Sequence, residues 1–417
     1  GAWLLIIPSL AQSSLQSIGG RLGDLFGYRR MFVIGALGFV FASVLAAAAP
    51  TFWALVAGRV LMMVGSSAVQ PNIGALVRVH MPAARRASAF GTLVASISLS
   101  FAAGPLIGGV LVATIGWRAL FLVAVPVTLL AVLLSRRWVP PDPSHDGTRR
   151  ELDIVGAVLW SLTVIAIILP LTLAGNGTLS PLLLPVVYLG TGLLLASFIS
   201  WELRQTEPVV QVRLFLTRTF RAAASSESLM NITFFPISLA LAVFLQDVQD
   251  HSTTLAGVVL AIGSLSMVLG SIVGGRLADR LGRRRPAVFG RCIAVLGTIP
   301  LLTMDQSTSP VVVGFWLLVM SLGAGLSLAA VQSAAVESAP RRYSGMATGV
   351  FSTSANLGGI IGITLTSVAL GDNAGLDAFR TIFILYLATS LLGTLITTRV
   401  EPWPASDEDV QAGVTTR

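Results

Sequence analysis

Long apolar segments alternate with short polar ones along the whole chain. Thirteen segments are apolar over about 20 residues, the length that spans a bilayer, and turn-forming residues separate them. This pattern predicts an all-α integral membrane protein. The predicted helices cover 3–18, 31–49, 52–77, 87–113, 117–138, 154–173, 181–201, 221–246, 255–275, 287–304, 310–336, 345–370 and 377–399.

The arginines are concentrated in every second connection between these segments. Of the 27 basic residues, all arginine, only Arg59, Arg118 and Arg380 lie elsewhere. Because short loops rich in Lys and Arg stay in the cytoplasm, the sequence predicts that this side, with the C-terminus, is cytoplasmic. The net charge of +8 therefore reflects membrane topology, and no nucleic-acid partner is expected.

Composition argues against a soluble enzyme. Only 11% of the residues are charged and mean hydropathy is +0.83, whereas a soluble domain carries about 25% charged residues. The three histidines are isolated and lack metal-ligand spacing, so no metal site is predicted. No nucleophile–base constellation is present, and we expect no enzymatic activity.

A charged hairpin occurs twice, with Gly20 and Gly275 as matching residues. Its glycines permit a tight reversal between two helices. We expect Asp24 near the start of the following helix, where the helix dipole favours a carboxylate, and Arg29 and Arg30 against that carboxylate or anionic lipid. The hairpin residues are Gly20, Gly23, Asp24, Gly27, Arg29 and Arg30, and then Gly275, Asp279, Gly282, Arg283 and Arg284.

The repeat divides the chain into two related halves. The second half has six predicted helices and the first has five, so one helix before residue 1 is expected to be missing. The predicted divisions are an N-terminal bundle (1–138), a cytoplasmic linker (139–153), an inserted helix pair (154–201), a second linker (202–220), a C-terminal bundle (221–399) and a disordered cytoplasmic tail (400–417). Two parallel repeats with a site between them are typical of secondary transporters.

These motifs resemble the drug:proton antiporters with fourteen helices in the major facilitator superfamily. The hairpins match the family pattern, although Tyr28 stands where a basic residue is usual. An antiporter signature is matched by Gly91, Gly104-Pro105 and Gly108-Gly109, with Ser100 in place of a glycine. The resemblance implies a major facilitator fold of two six-helix bundles, in the bacterial cytoplasmic membrane, and multidrug efflux with antibiotic resistance.

The segment around Pro105 also has its own physical reading. Proline removes a helix hydrogen bond and bends the helix, while Gly104 and Gly108 offer a small-residue face for close packing. The resemblance implies that Gly104, Pro105, Gly108 and Gly109 seal the helix against leak while the halves rock.

Two charged residues are predicted inside helices. Arg59 lies about 10 Å from a helix end, and the resemblance implies a role in proton coupling; the alternative is an Arg that snorkels to the outer interface. Glu227 lies about 9 Å in, where a carboxyl group exchanges protons or reaches the headgroups. Gln70, Asn72, Asn231 and Asn356 line a cavity or join helices by hydrogen bonds.

The expected function is export of small amphipathic compounds in exchange for protons, by alternating access. The expected partners are a small-molecule substrate, protons and membrane lipid, with the proton gradient as energy source, no cofactor and a monomeric protein. The alternatives are an importer of the same fold, or a membrane sensor that does not transport.

Overall fold

The computed structural model describes residues 3–142, 152–175, 180–370 and 375–403, which form α-helices and short helical turns without a β-strand. The helices are α1 (Trp3–Phe26), α2 (Tyr28–Ala47), α3 (Phe52–His80), α4 (Arg86–Thr114), α5 (Ala119–Leu122), α6 (Ala124–Trp138), α7 (Ile154–Gly175), α8 (Leu184–Glu202), α9 (Arg218–Val243), α10 (Thr253–Leu281), α11 (Arg284–Thr298), α12 (Pro310–Glu337), α13 (Ser344–Leu370) and α14 (Leu376–Thr397).

Each of the thirteen predicted apolar segments is helical. The fifth is divided into α5 and α6. Eleven helices in the described residues are long and apolar enough to cross a membrane. The all-α membrane fold predicted from the hydropathy pattern is confirmed.

The two halves pack against each other along two equivalent helix pairs. Helix α1 of the first half packs on α13 of the second, and α10 of the second half packs on α4 of the first. A Cβ on Gly20 would lie 2.1 Å from the carbonyl oxygen of Gly345, and one on Gly275 would lie 2.5 Å from that of Ala87. Glycine therefore brings the backbones of the two halves into direct contact at both pairs.

Each charged hairpin turns at a glycine in the left-handed region, with φ of 99° at Gly27 and 82° at Gly282. Asp142 accepts hydrogen bonds from the backbone N–H groups of Arg29 and Arg30. At the second hairpin, the carbonyl of Pro402 accepts the N–H of Arg283 at 2.6 Å. Thus each hairpin is held by the segment that follows the last helix of its own half. We call the side of the protein that carries both hairpins the hairpin face.

One predicted boundary changes as a result. Residues 400–403 belong to the predicted disordered tail, but Val400 is buried and the N–H of Glu401 donates to Thr219. This stretch packs against the second half because the apolar Val400 and the carbonyl of Pro402 find partners there. Residues 404–417 lie outside the described residues, as do 143–151 of the predicted first linker.

Candidate functional site

The first hairpin holds the two halves together through Asp24. This buried carboxylate accepts hydrogen bonds from the backbone N–H groups of Gly345 at 2.8 Å and Met346 at 2.9 Å, in the first turn of α13. The hydroxyl of Tyr28 donates a third bond at 2.9 Å. The N-terminus of a helix carries unpaired N–H donors and partial positive charge, which favour a carboxylate. We call this contact the first latch.

The prediction for Asp24 was therefore wrong in one respect. Asp24 lies in the last turn of α1 rather than at the start of the next helix, because α1 continues to Phe26 and reverses only at Gly27. The helix dipole that it faces belongs to α13, more than 300 residues later. Arg29 does not turn to Asp24 either; its guanidinium donates to the carbonyl of Arg136.

The second hairpin repeats this arrangement with the halves exchanged. Asp279 accepts the N–H groups of Ala87 at 3.0 Å and Ser88 at 2.9 Å, around the first turn of α4, and the hydroxyl of Ser88 at 2.5 Å. Arg283, which occupies the position of Tyr28 in the repeat, forms ion pairs with Asp279 at 3.0 Å and Glu337 at 2.9 Å. We call this contact the second latch.

Buried arginines add contacts between the halves that the sequence did not predict. Arg78 was assigned to a connecting loop, but α3 extends to His80 and Arg78 is 1% exposed. Its guanidinium donates to the carbonyls of Val336 and Glu337 at the end of α12. Cations are favoured at a helix C-terminus, so Arg78 complements the two carboxylates at helix N-termini.

An amide cluster lies between the halves, two turns or about 12 Å farther from the hairpin face along α1 than Asp24. Gln16 donates to the side chain of Gln70, and Asn356 donates to Gln16 at 3.1 Å. Nearby, the hydroxyls of Ser17 and Thr353 are 3.2 Å apart. Gln16 and Gln70 belong to the first half and Asn356 to the second, so Gln16 bridges the two predicted cavity residues Gln70 and Asn356 across the interface.

The other two predicted cavity residues bind within one half. Asn72 is fully buried and donates to the carbonyls of Gly19 and Ala68. Asn231 donates to the carboxylate of Glu227 at 3.0 Å. Asn72 therefore joins α3 to α1, as the helix-joining alternative predicts, whereas Asn231 bonds within its own helix α9.

Glu227 has a charged partner that the sequence did not predict. Its carboxylate forms an ion pair with Arg291 at 2.6 Å, and the two side chains are 6% and 1% exposed. Arg291 lies inside the predicted helix 287–304, in the second turn of α11, but the sequence did not predict that it is buried and paired. Glu227 therefore points into the second half instead of reaching the headgroups.

Arg59 and the antiporter segment have few contacts. Arg59 is half-buried in α3, and its Nε atom has no hydrogen-bond partner within the described residues. A Cβ on Gly104 or Gly109 would have no described atom within 4 Å, and one on Gly108 would meet only Leu120 at 3.6 Å. The predicted close packing on this face of α4 is not seen. Pro105 lies in α4, with its side chain outside the described residues.

The corresponding face of α13 is packed tightly. A Cβ on Gly358 would lie 2.0 Å from the carbonyl oxygen of Ser228, and one on Gly362 would lie 2.3 Å from that of Ile232, both in α9. By contrast, Gly91 of the antiporter signature packs closely, because a Cβ there would lie 2.4 Å from the carbonyl oxygen of Ser271 in α10.

These contacts define a class of protein. Two helical halves of a membrane protein, related by an internal repeat, meet in symmetric polar contacts at one face and share an amide cluster deeper in the interface. This is the organisation of a secondary transporter.

Comparison with known proteins identifies the family. The sequence profile of the Major Facilitator Superfamily matches residues 1–363 and again 226–414. The chain belongs to this family, and it is therefore a membrane transporter of small molecules rather than an enzyme. The resemblance inferred from the duplicated hairpin is confirmed.

Individual relatives agree with this assignment. The chain is 31% identical over 399 residues to the uncharacterized MFS-type transporter YwoD of Bacillus subtilis, covering 94% of this chain and 87% of the relative. It is 29% identical to the tetracenomycin C resistance and export protein of Streptomyces glaucescens, covering 86% and 66%. The crystal structure of the human organic anion transporter MFSD10 matches with a TM-score of 0.71 at 17% identity, covering 94% of this chain and 82% of that one.

Proposed function

We propose that this protein exports small amphipathic compounds in exchange for protons by alternating access. The observation that carries the proposal is the pair of latches, which join the halves by the same chemistry at one face. Because Asp24 and Asp279 each bind a helix of the opposite half, the contacts break together when that face opens. The relative named as a tetracenomycin C resistance and export protein supports export.

In this proposal the hairpin face is cytoplasmic, as the distribution of arginines favours, and the membrane is the bacterial cytoplasmic membrane. The structure then corresponds to the state closed towards the cytoplasm. The substrate binds near the amide cluster, where Gln70 is exposed and Asn356 is partly buried. The protein works as a monomer, with the proton gradient as its energy source.

Two charged sites are proposed to couple protons to this movement. A proton bound by Glu227 would neutralise it and release the buried guanidinium of Arg291 from its ion pair. Arg59 presents a guanidinium whose Nε has no partner in the described residues, which suits it to bind an anionic group during only part of the cycle. The antiporter segment at Gly104, Pro105, Gly108 and Gly109 is proposed to limit leak as the halves move.

The test is transport of a fluorescent amphipathic cation, such as ethidium, by proteoliposomes with an imposed pH gradient. Movement of dye against the direction of proton flow, abolished when the gradient is collapsed, supports the proposal. Arg59→Ala is expected to abolish gradient-driven transport. Arg380→Ala serves as the control, because it changes an exposed arginine that is paired with the exposed Asp377 at 3.5 Å. Dye that moves together with protons would favour the importer, and the absence of any gradient-dependent movement of a panel of such dyes would contradict the proposal.

A further inference from the structure

We propose that the loop between α8 and α9 (residues 203–217) is a third arm of the latch, in which Glu207 holds the buried guanidinium of Arg21. We call this loop the clasp loop. The proposal rests on the proposed function, since it assigns to the inserted pair α7–α8 a part in closing the hairpin face.

One end of the clasp loop is tied to the first half. Glu207 forms an ion pair with Arg21 of α1 at 2.5 Å, in which the arginine side chain is 2% exposed and the glutamate 39% exposed. The sequence placed Arg21 in a connecting loop, but it lies in α1, three residues before Asp24. A buried arginine needs a hydrogen-bonded acidic partner to offset its desolvation, and Glu207 supplies that partner.

The other end of the clasp loop is tied to the second half. The backbone N–H of Gln211 donates to the sulfur of Met346 in α13 at 3.1 Å. Val209, Val210 and Leu214 are almost fully buried, and they belong to the same apolar cluster as Met346. Met346 also donates its own N–H to Asp24. The clasp loop therefore spans the interface at the first latch, with contacts on both sides.

Arg21 itself touches the second half. Its guanidinium carbon lies 5.5 Å from the ring centroid of Tyr343, just before α13. Stacking of a guanidinium on an aromatic face is favourable. When α1 separates from α13, Arg21 loses this ring and the clasp loop must release either Arg21 or Met346.

The second hairpin allows the burial of Arg21 to be compared with that of the equivalent arginine in the repeat. Arg276 occupies the position of Arg21 in the repeat, directly after Gly275, yet Arg276 is exposed whereas Arg21 is buried. The hairpins share their sequence pattern, so the difference in burial arises from the surroundings of Arg21. Glu207 is therefore specific to the first latch, and Arg276 provides a matched control.

The ion pair between Glu207 and Arg21 favours the latched state over the open state. Removing the charge of Glu207 deprives the buried Arg21 of its hydrogen-bonded acidic partner in the latched state. In the open state Arg21 is exposed to water, and the loss of Glu207 has little effect on it. Breaking a fully buried ion pair is strongly destabilising, but a pair in which one partner is partly exposed contributes much less. We expect Glu207→Gln to raise the ratio of open to latched molecules about tenfold.

The experiment measures the distance between spin labels at Arg30→Cys and Arg285→Cys, which are exposed on the two hairpins. Cys292, the single native cysteine of the chain, is replaced by serine so that only the introduced cysteines are labelled. The full chain is studied in lipid nanodiscs by pulsed electron paramagnetic resonance. Glu207→Gln should increase the long-distance population about tenfold, and Arg276→Gln should leave it unchanged. In an Arg21→Gln background, Glu207→Gln should have no further effect, since the buried charge is gone. Glu207→Asp, which keeps the charge, should stay close to the wild type and would assign the effect of Glu207→Gln to the lost charge.

The outcomes separate the two proposals. A wild-type protein with one distance at every pH and with every dye tested would contradict alternating access itself. A wild-type protein with two distances, whose populations are the same in Glu207→Gln, would overturn the role of the clasp loop alone. An equal shift in Arg276→Gln, or an additive effect of Glu207→Gln on Arg21→Gln, would also overturn it.

Discussion

Replacing Asp24 with asparagine should open the hairpin face, because the first latch uses both carboxylate oxygens. One oxygen accepts the N–H of Gly345 and the other the N–H of Met346. Asparagine has one acceptor oxygen, so its NH₂ group would face a buried backbone donor. The side chain keeps its size and shape, and the change is therefore confined to hydrogen bonding and charge.

The magnitude follows from the bonds lost. An unsatisfied buried donor costs about 1–3 kcal/mol, and the remaining bond loses about 1 kcal/mol of charge assistance. A neutral amide is cheaper to bury than a carboxylate, which offsets part of this cost. A net loss of about 2 kcal/mol changes the equilibrium about 30-fold. Because these bonds exist only while α1 and α13 are together, the loss falls on the latched state.

The assay uses a cysteine that is reachable only from an open hairpin face. Thr348 of α13 is 1% exposed, and its side chain contacts Gly74 of α3 in the other half. In a Cys292→Ser background, modification of Thr348→Cys by a water-soluble maleimide should be about 30 times faster with Asp24→Asn. Asp305→Asn makes the same chemical change in an exposed turn and should leave the rate unchanged. An unchanged or slower rate with Asp24→Asn would refute the latch.

Two further predictions concern stability, measured as thermal unfolding in detergent. Glu227→Gln should lower the unfolding temperature and reduce the free energy of unfolding by about 3 kcal/mol, because Arg291 stays buried without its partner. The double variant with Arg291→Gln should recover much of this loss. Equal losses in the single and double variants would contradict the prediction. Gly362→Ala should reduce the free energy of unfolding by about 1–3 kcal/mol, because the new methyl group overpacks against Ile232. Gly104→Ala, which has no described atom within 4 Å, should change it by less than about 0.5 kcal/mol. Equal losses in both glycine variants would show that the face of α4 is packed in the protein in the same way as that of α13.

The sequence predicted those parts of the structure that depend on local pattern. Hydropathy located all thirteen helical segments, and the repeated glycine and aspartate spacing placed the hairpins at equivalent points of two halves. Gly27 and Gly282 form the turns, because a sharp reversal at positive φ favours glycine whatever the tertiary context.

The partners of the buried charges could not be predicted in this way. Arg78 and Arg291 lie within two turns of a helix end, where hydropathy cannot distinguish an arginine at the interface from a buried one. Arg78 is bound by the backbone carbonyls of Val336 and Glu337, and Arg291 by the carboxylate of Glu227. These partners lie far away in the sequence. The sequence contained weaker signals of buried polar contacts. Gln16 is a polar residue within the predicted apolar segment 3–18, and Glu337 directly follows the predicted segment 310–336.

The most direct test of the account is a disulfide that locks the hairpin face. A Cβ on Gly74 would lie 3.4 Å from the Cβ of Thr348, close to the separation of about 3.5–4.5 Å in disulfides. In a Cys292→Ser background, oxidation of Gly74→Cys with Thr348→Cys should abolish gradient-driven dye transport, and reduction should restore it, while each single variant transports in both conditions. Transport that continues at the wild-type rate with the disulfide fully formed would contradict the claim that the two halves separate at this face.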